Sequence, residues 1–380
     1  MKTIFCTKAY AALLGSLFFL FSHTTQAVVT CSLGTARTET ATLTPSNISA
    51  GPDLPVGTVI YRSTWIDASP ANQIKCTTDI ATGDTGKSLV RAILVSAPYP
   101  LSSWAGSPFP GAVYQTNIPG VGVAVWFSNI PMTTTSSIVI GAIDFSIPSS
   151  SSSVNYGFNN LFDFSLIKIG EMTPGVYNFN APSSLPVVKI YLDAFINSMG
   201  FPITTRTINF SGTLQISAQT CTTPDVNTYL GSYDTALLSS VGSTPWVDSS
   251  IKLTNCPVFR GYYPTSNPTM IKGSSPSSIV STNNQFGIRL NPTSAIIDAA
   301  NGVMSVTTSA NAATGVGIQM AYGTAQSPEL FNFMNEKNVI SPKDGSRTIT
   351  LPLVARYIKT APTVTPGRAD GKVTFTVSYY

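Results

Sequence analysis

The segment Ile208-Asn-Phe-Ser-Gly-Thr-Leu-Gln-Ile216 decides the fold. Ile208, Phe210, Leu214 and Ile216 fall at even spacing, so a β-strand sets all four on one face, whereas a helix would scatter them around its circumference. The same period of two joins Ile251 with Leu253, Phe286 with Ile288 and Leu290, Val316 with Ile318 and Met320, and Ile349 with Leu351 and Leu353. Gly, Pro, Ser, Thr and Asn bound these runs and supply the turns between them. The 27 prolines and 28 glycines are spread along the chain rather than massed in one place. That composition fits many short strands with tight connections and predicts an all-β protein built of sandwiches. Helical periodicity is weak, and residues 192–199 read as one short helix at best.

The chain opens on MKTIFCTKAY, with Lys2 and Lys8, followed by the apolar run AALLGSLFFLF at 11–21 and a polar stretch that ends at Ala27. This is the pattern of a secretory signal peptide over residues 1–27. The apolar run falls short of the roughly 20 residues a membrane-spanning helix needs. The expected product is exported and soluble. Its removal takes away Cys6 and the only histidine, His23, and lowers the net charge from +4 to +2. A balance that weak, in a chain with few charges, argues against nucleic acid or an anionic membrane as partner, since either calls for a clustered basic surface.

Residues 28–380 are more comfortable as two domains than as one. The stretch GFPITTRT at 200–207 reads as the short linker between them, dividing the chain into 28–203 and 204–380. The serine tract 149–153 reads as a polar surface connection. Cys31 and Cys76 lie in the first part and Cys221 and Cys256 in the second. Four cysteines allow three pairings; the simplest is one local bridge in each domain, Cys31 to Cys76 and Cys221 to Cys256.

An enzyme is hard to assemble from these residues. Without histidine in the exported part there is no Ser/His or Cys/His pair and no His-containing metal site, and no cofactor is expected. Paired carboxylates for glycoside hydrolysis remain formally available among Asp53, Asp67, Asp144 and Asp163, although acidic residues in an exported chain mostly sit solvated or in turns.

From Ile208 onward the ordered pieces INFSGTLQISAQTC, YLGSYDT (229–235), SSIKLTNC (249–256), NQFGIRL (284–290), TGVGIQM (314–320), TITLPLVARYIKT (348–360) and PGRADGKVTFTVSYY (366–380) resemble the pilin domain of chaperone-usher fimbriae. In the first half, VYQTNIPGVGVAVWF (113–127), FSLIKIGEMTPG (164–175) and the early Cys31 are similar to the receptor-binding domains of two-domain fimbrial adhesins. The resemblance implies an immunoglobulin-like C-terminal sandwich lacking its final strand, preceded by a lectin-like sandwich.

It also implies partners: a periplasmic chaperone that lends a strand, an outer-membrane usher, and a following pilus subunit whose strand replaces the chaperone's. The last strand would carry that interface through Val373, Phe375, Val377, Tyr379 and Tyr380. Only Val28, Val29 and Thr30 precede Cys31 in the expected mature chain, too few to donate a strand of ordinary length. The subunit is therefore expected to stand at the outer end of a fimbrium and to bind a host glycan or matrix protein. The alternative is a structural tip adaptor with no receptor of its own, but that role needs only one pilin domain. Aromatic rings beside polar groups suit a sugar's apolar face, which makes Trp65, Asp67, Tyr99 and Trp104 the receptor-binding candidates. Trp126, alternating within VGVAVWF, reads as core.

Overall fold

The computed structural model describes residues 28–380 apart from 45–46, 79–84, 181, 218 and 278, so the signal-peptide reading of 1–27 lies outside the described residues. The molecule is almost entirely β-structure, as its alternating pattern requires. The helix Thr235–Val241 is its single α-helix among the described residues; Asp234 caps it by accepting from the Ala236 amide, and Gly242 ends it in the left-handed conformation.

Two sheets enclose the first core. One runs Ile138–Ser146, Thr85–Ser96, Val187–Ile196, Ile203–Ile216 and Gly175–Asn180, with Arg37–Thr42 joining Ile203–Ile216 in parallel. The other places Val59–Ile66, Leu161–Lys168 and Val121–Phe127 side by side. Between them lie Trp65, Phe162, Phe164 and Phe210, with Trp65 stacked on Phe162 at 5.1 Å. A small sheet at the side pairs Val29–Leu33 with Ile74–Thr78, bringing Cys31 opposite Cys76, and those two form a disulfide. A second disulfide joins Cys221 and Cys256.

The second core sits between the sheet of Leu353–Lys359, Val316–Thr324 and Val303–Ser305 and the three-stranded sheet Lys337–Ile340, Gln285–Pro292, Val373–Tyr379. Its interior holds Phe286, Ile288, Leu290, Ile318, Leu351 and Leu353, all from runs of period two.

The expected linker is not a linker. Residues 203–216 form one unbroken strand that crosses the proposed boundary, and Ile208, Phe210, Leu214 and Ile216 belong to the first core rather than opening the second. Gly200 and Pro202 mark the turn into that strand, and such residues mark turns and linkers alike. Residues 192–199 are also not a helix: the strand Val187–Ile196 stays paired with Thr85–Ser96 through Asp193 and Ala194, and ladder bonds override the local pattern. The two halves also share a sheet. Thr269–Lys272, from the second half, pairs in parallel with Val59–Ile66, and Tyr263 and Ile271 are buried in the first core.

Candidate functional site

The last strand, Val373–Tyr379, pairs with Gln285–Pro292 and with no other strand among the described residues. Bonds between Tyr380 and Gln285 and from the Thr293 amide to the Lys372 carbonyl fix the phase of this antiparallel ladder. Even-numbered residues face their partner strand, so the N–H and C=O groups of Val373, Phe375 and Val377 point to the open edge, where they have no main-chain partner among the described residues. Their side chains turn toward the second core but stay only half-buried.

Beside that edge runs a cleft of ≈ 650 Å³. Its floor is the second core itself: Ile251, Leu290, Ile318, Met320 and Leu353. Val373 and Phe375 form one wall, and residues 225–230 form the other. That opposite wall is irregular, and its backbone makes no main-chain hydrogen bond among the described residues. Two unpaired stretches of backbone thus flank an opening onto apolar side chains. Residues 225–230 carry no periodic signal, and sequence reasoning missed them.

Tyr379 and Tyr380 do not border this cleft as expected; they form the joint between the halves. Tyr379 is buried, sits edge-on to Phe286 at 5.5 Å, and its hydroxyl accepts from the Cys221 amide. Burial raises its pKa. Its own amide donates to Asp53 Oδ2 at 2.8 Å, and its carbonyl accepts from the Asp53 amide at 3.2 Å. Gly51 lies so close that a Cβ there would stand 2.0 Å from the Tyr379 carbonyl oxygen. Tyr380 packs against the first core, and Asn284 Nδ2 donates to both the Tyr380 and the Ser49 carbonyls.

Of the four receptor candidates, two are interior. Trp65 is 1% exposed and gives its indole N–H to the Gly273 carbonyl. Asp67 is sealed with Arg206: Nε lies 3.2 Å from Oδ2, and both side chains have no exposure. Gln73, Asn160 and the Ser69 amide also donate to this carboxylate. Nearby Glu39 has its pKa raised, first by burial and then by Asp67, against the opposing pull of Arg206. Neither Trp65 nor Asp67 can touch a receptor. Trp65 lies within the core strand Val59–Ile66 and Asp67 directly follows its end, and that placement is the reason.

Tyr99 and Trp104 lie half-buried on the connection between Thr85–Ser96 and Val121–Phe127. Trp104 turns inward, donating from Nε1 to the Pro108 carbonyl at 2.8 Å and packing on the apolar cluster around Val59, Phe109 and Trp126. It holds the 104–111 loop in place. In front of that loop is a second, smaller cavity of ≈ 240 Å³, with Val59, Phe109 and Trp126 in its lining. Trp126, expected in the core, is indeed 5% exposed, yet it forms part of this floor.

The fimbrial protein family matches residues 208–380. No curated protein matches the chain. Among solved structures, the CupB6 tip adhesin from Pseudomonas aeruginosa is 14% identical over 92% of this chain and 94% of that one, with a TM-score of 0.32. The receptor binding domain of the plasmid-born adhesin MrkD1P of Klebsiella pneumoniae is 20% identical, over 51% of this chain and 98% of its own, at a TM-score of 0.28. CfaE, the adhesive subunit of the CFA/I fimbria of enterotoxigenic Escherichia coli, is 8% identical over 92% and 98%, at 0.21. The matched stretch, residues 208–380, contains the whole second core and begins on the strand Ile203–Ile216 of the first.

Proposed function

We propose that the chain is a fimbrial tip adhesin: its C-terminal domain accepts a strand from a periplasmic chaperone and then from the next pilus subunit, and its N-terminal sandwich binds a host receptor. The carrying observation is the cleft between Val373–Tyr379 and residues 225–230, where unpaired backbone lies over an open apolar core. A free edge of this kind is a template for another chain. A strand laid into it would bond to Val373, Phe375 and Val377, while every second side chain would enter the cleft, at roughly 25 cal/mol per Å² of apolar surface buried.

The separate core ahead of this domain favours an adhesin over a tip adaptor, because strand acceptance alone does not require it. On this reading residues 1–27 direct export, an outer-membrane usher passes the subunit to the surface, and the domain boundary falls between Ile216 and Cys221. The role is one of binding and assembly, with no catalytic step.

The test is co-purification of the exported full chain with its chaperone, followed by exchange onto a peptide of alternating apolar residues. The wild-type chain is expected to hold either partner. Phe375→Asp is expected to lose both, since its carboxylate would be desolvated in the cleft at a cost of several kcal/mol, about 2 to 7 for even an uncharged polar group. Thr374→Ser, on the exposed face, is expected to behave as wild type. A Phe375→Asp chain that still bound chaperone and peptide at wild-type levels would sink the assignment.

A further inference from the structure

We infer that the ≈ 240 Å³ cavity in front of the 104–111 loop is the receptor pocket, and that it takes one neutral pyranose ring of a glycan. This rests on the adhesin reading and goes beyond it by naming the site and the chemistry.

The floor is apolar: Val59, Phe109 and Trp126 are each less than a tenth exposed, and Pro108 borders them. The rim is polar and uncharged, made by Ser107, Asn129 and Thr265, all exposed. None of these three side chains has a hydrogen-bond partner within the protein among the described residues, so their donors and acceptors are available to a ligand. An apolar floor beneath a ring of neutral hydrogen-bonding groups matches a sugar, which has a face of C–H groups and an equator of hydroxyls. The volume is below the roughly 300–1,000 Å³ of pockets for drug-sized ligands, which limits the buried portion to a single ring.

The charged group that touches the lining, Arg62, is already paired. Arg62 pairs with Asp163 at 3.0 Å, gives a second bond to the Thr265 carbonyl at 2.7 Å, and lies 4.6 Å from the centre of the Trp126 ring. Thr64 also donates to Asp163. Among the described residues the lining itself holds no charged side chain to select an acidic sugar or a charged peptide. An apolar side chain from a protein ligand would desolvate the three rim groups without bonding them, a loss that polar pockets use to reject such ligands.

The backbone supports the same site. Phe109 holds φ at 59°, a conformation a bulky side chain seldom adopts, and its carbonyl accepts from the Ala112 amide to close the Pro110-Gly111 turn. Strain of this kind persists where surrounding structure enforces it and concentrates at binding sites. Ser128 and Asn129, at φ 47° and 64°, form the two-residue turn that joins Val121–Phe127 to Ile130–Pro131 and carries the Asn129 amide to the rim. Thr265 comes from the second half of the chain, so the pocket is complete only when both halves are docked.

The experiment uses the full chain with its cleft filled by the donor peptide, applied to an array of neutral and acidic glycans beside collagen and fibronectin. Binding to neutral glycans is expected, with competition by the free monosaccharide. Asn129→Gly keeps the turn and deletes the amide, and Thr265→Val keeps the shape and deletes the hydroxyl. Each is expected to weaken binding at least tenfold while near-UV circular dichroism and peptide uptake stay unchanged. Glycan binding untouched by both variants would place the receptor site elsewhere and overturn the pocket while the adhesin reading stands. Preference for acidic glycans, or binding to matrix protein that no sugar competes, would overturn the ligand class. Binding to nothing on the array would remove the pocket and the adhesin reading together.

Discussion

The two sandwiches treat their edges in opposite ways. In the first, Val59–Ile66 would be an edge strand, but Thr269–Lys272 from the second half covers it, and Tyr263 and Ile271 complete the core from the same segment. In the second, Val373–Tyr379 is left uncovered along Val373, Phe375 and Val377, and the core opens to solvent there. Uncovered edges invite pairing with other chains. This protein closes one edge with its own residues and leaves the other open; on the proposed function, an outside strand would finish that second part during assembly.

The largest test of that contrast is truncation. A fragment ending at residue 203 lacks Ile208, Phe210, Leu214 and Ile216, all at most 2% exposed, and also Tyr263 and the strand Thr269–Lys272. Losing even one such side chain costs about 2–5 kcal/mol, against a typical total stability of about 5–15. The fragment is expected to be unfolded or aggregated, with collapsed near-UV circular dichroism and poor amide dispersion by NMR. A cooperatively folded, monomeric 28–203 fragment would show that the first sandwich closes without help and would break the comparison.

Much of this was legible in the sequence. Period-two runs such as Phe286, Ile288, Leu290 and Val316, Ile318, Met320 gave the strands of the second core, because alternation follows from the pleat itself. The cysteine pairs were legible because the local pairing within each half is the one found, and for Cys31 and Cys76 the sheet register sets the two opposite each other. The boundary was not. Strand Ile203–Ile216 looks the same in sequence whichever core it serves, since periodicity reports that a face is buried and not against what. The same ambiguity hid the sharing of Thr269–Lys272 between the halves, a pairing between residues some two hundred positions apart. At the site, alternation set Val373, Phe375 and Val377 on one face, while Trp65 and Asp67 were misplaced because an aromatic beside a carboxylate looks alike in a core and in a sugar site. The second cavity draws Phe109, Asn129 and Thr265 from three distant segments, and no local pattern links them.

A second test probes how tightly the first sandwich is sealed. Arg206 lies on the strand that crosses the expected boundary, and its pair with Asp67 is fully buried. Asp67→Asn would leave Arg206 with Glu39 as its remaining carboxylate, at 3.7 Å. Breaking a buried pair from one side costs about 3–5 kcal/mol, and Glu39 pulls the expected value toward the lower end. Chemical denaturation should show the midpoint fall, whether or not the cleft of the second sandwich holds a peptide. A neutral Asp67→Asn would mean that water reaches the pair and that the first core is no better closed than the second.

The smallest expected effect sharpens the comparison most, because one chemical change is read in both cores. Ile190 is fully buried in the first core, and Ile318 lines the open cleft of the second. Ile190→Ala removes packing on all sides and should cost about 2–5 kcal/mol, including the cavity it leaves. Ile318→Ala enlarges a space that already exists, so fewer packed neighbours are lost and the expected cost is lower, about 1–2 kcal/mol. A bound donor strand changes the second value and not the first. Once alternating side chains fill the cleft, the missing methyl groups of the Ile318 variant leave a void against the peptide, and each 1.4 kcal/mol of that deficit appears as a tenfold loss of peptide affinity. Urea titrations of both variants, with and without saturating peptide, measure the two terms separately. If Ile318→Ala costs as much as Ile190→Ala before any peptide is added, the second core is already closed and Val373–Tyr379 is an ordinary finished edge.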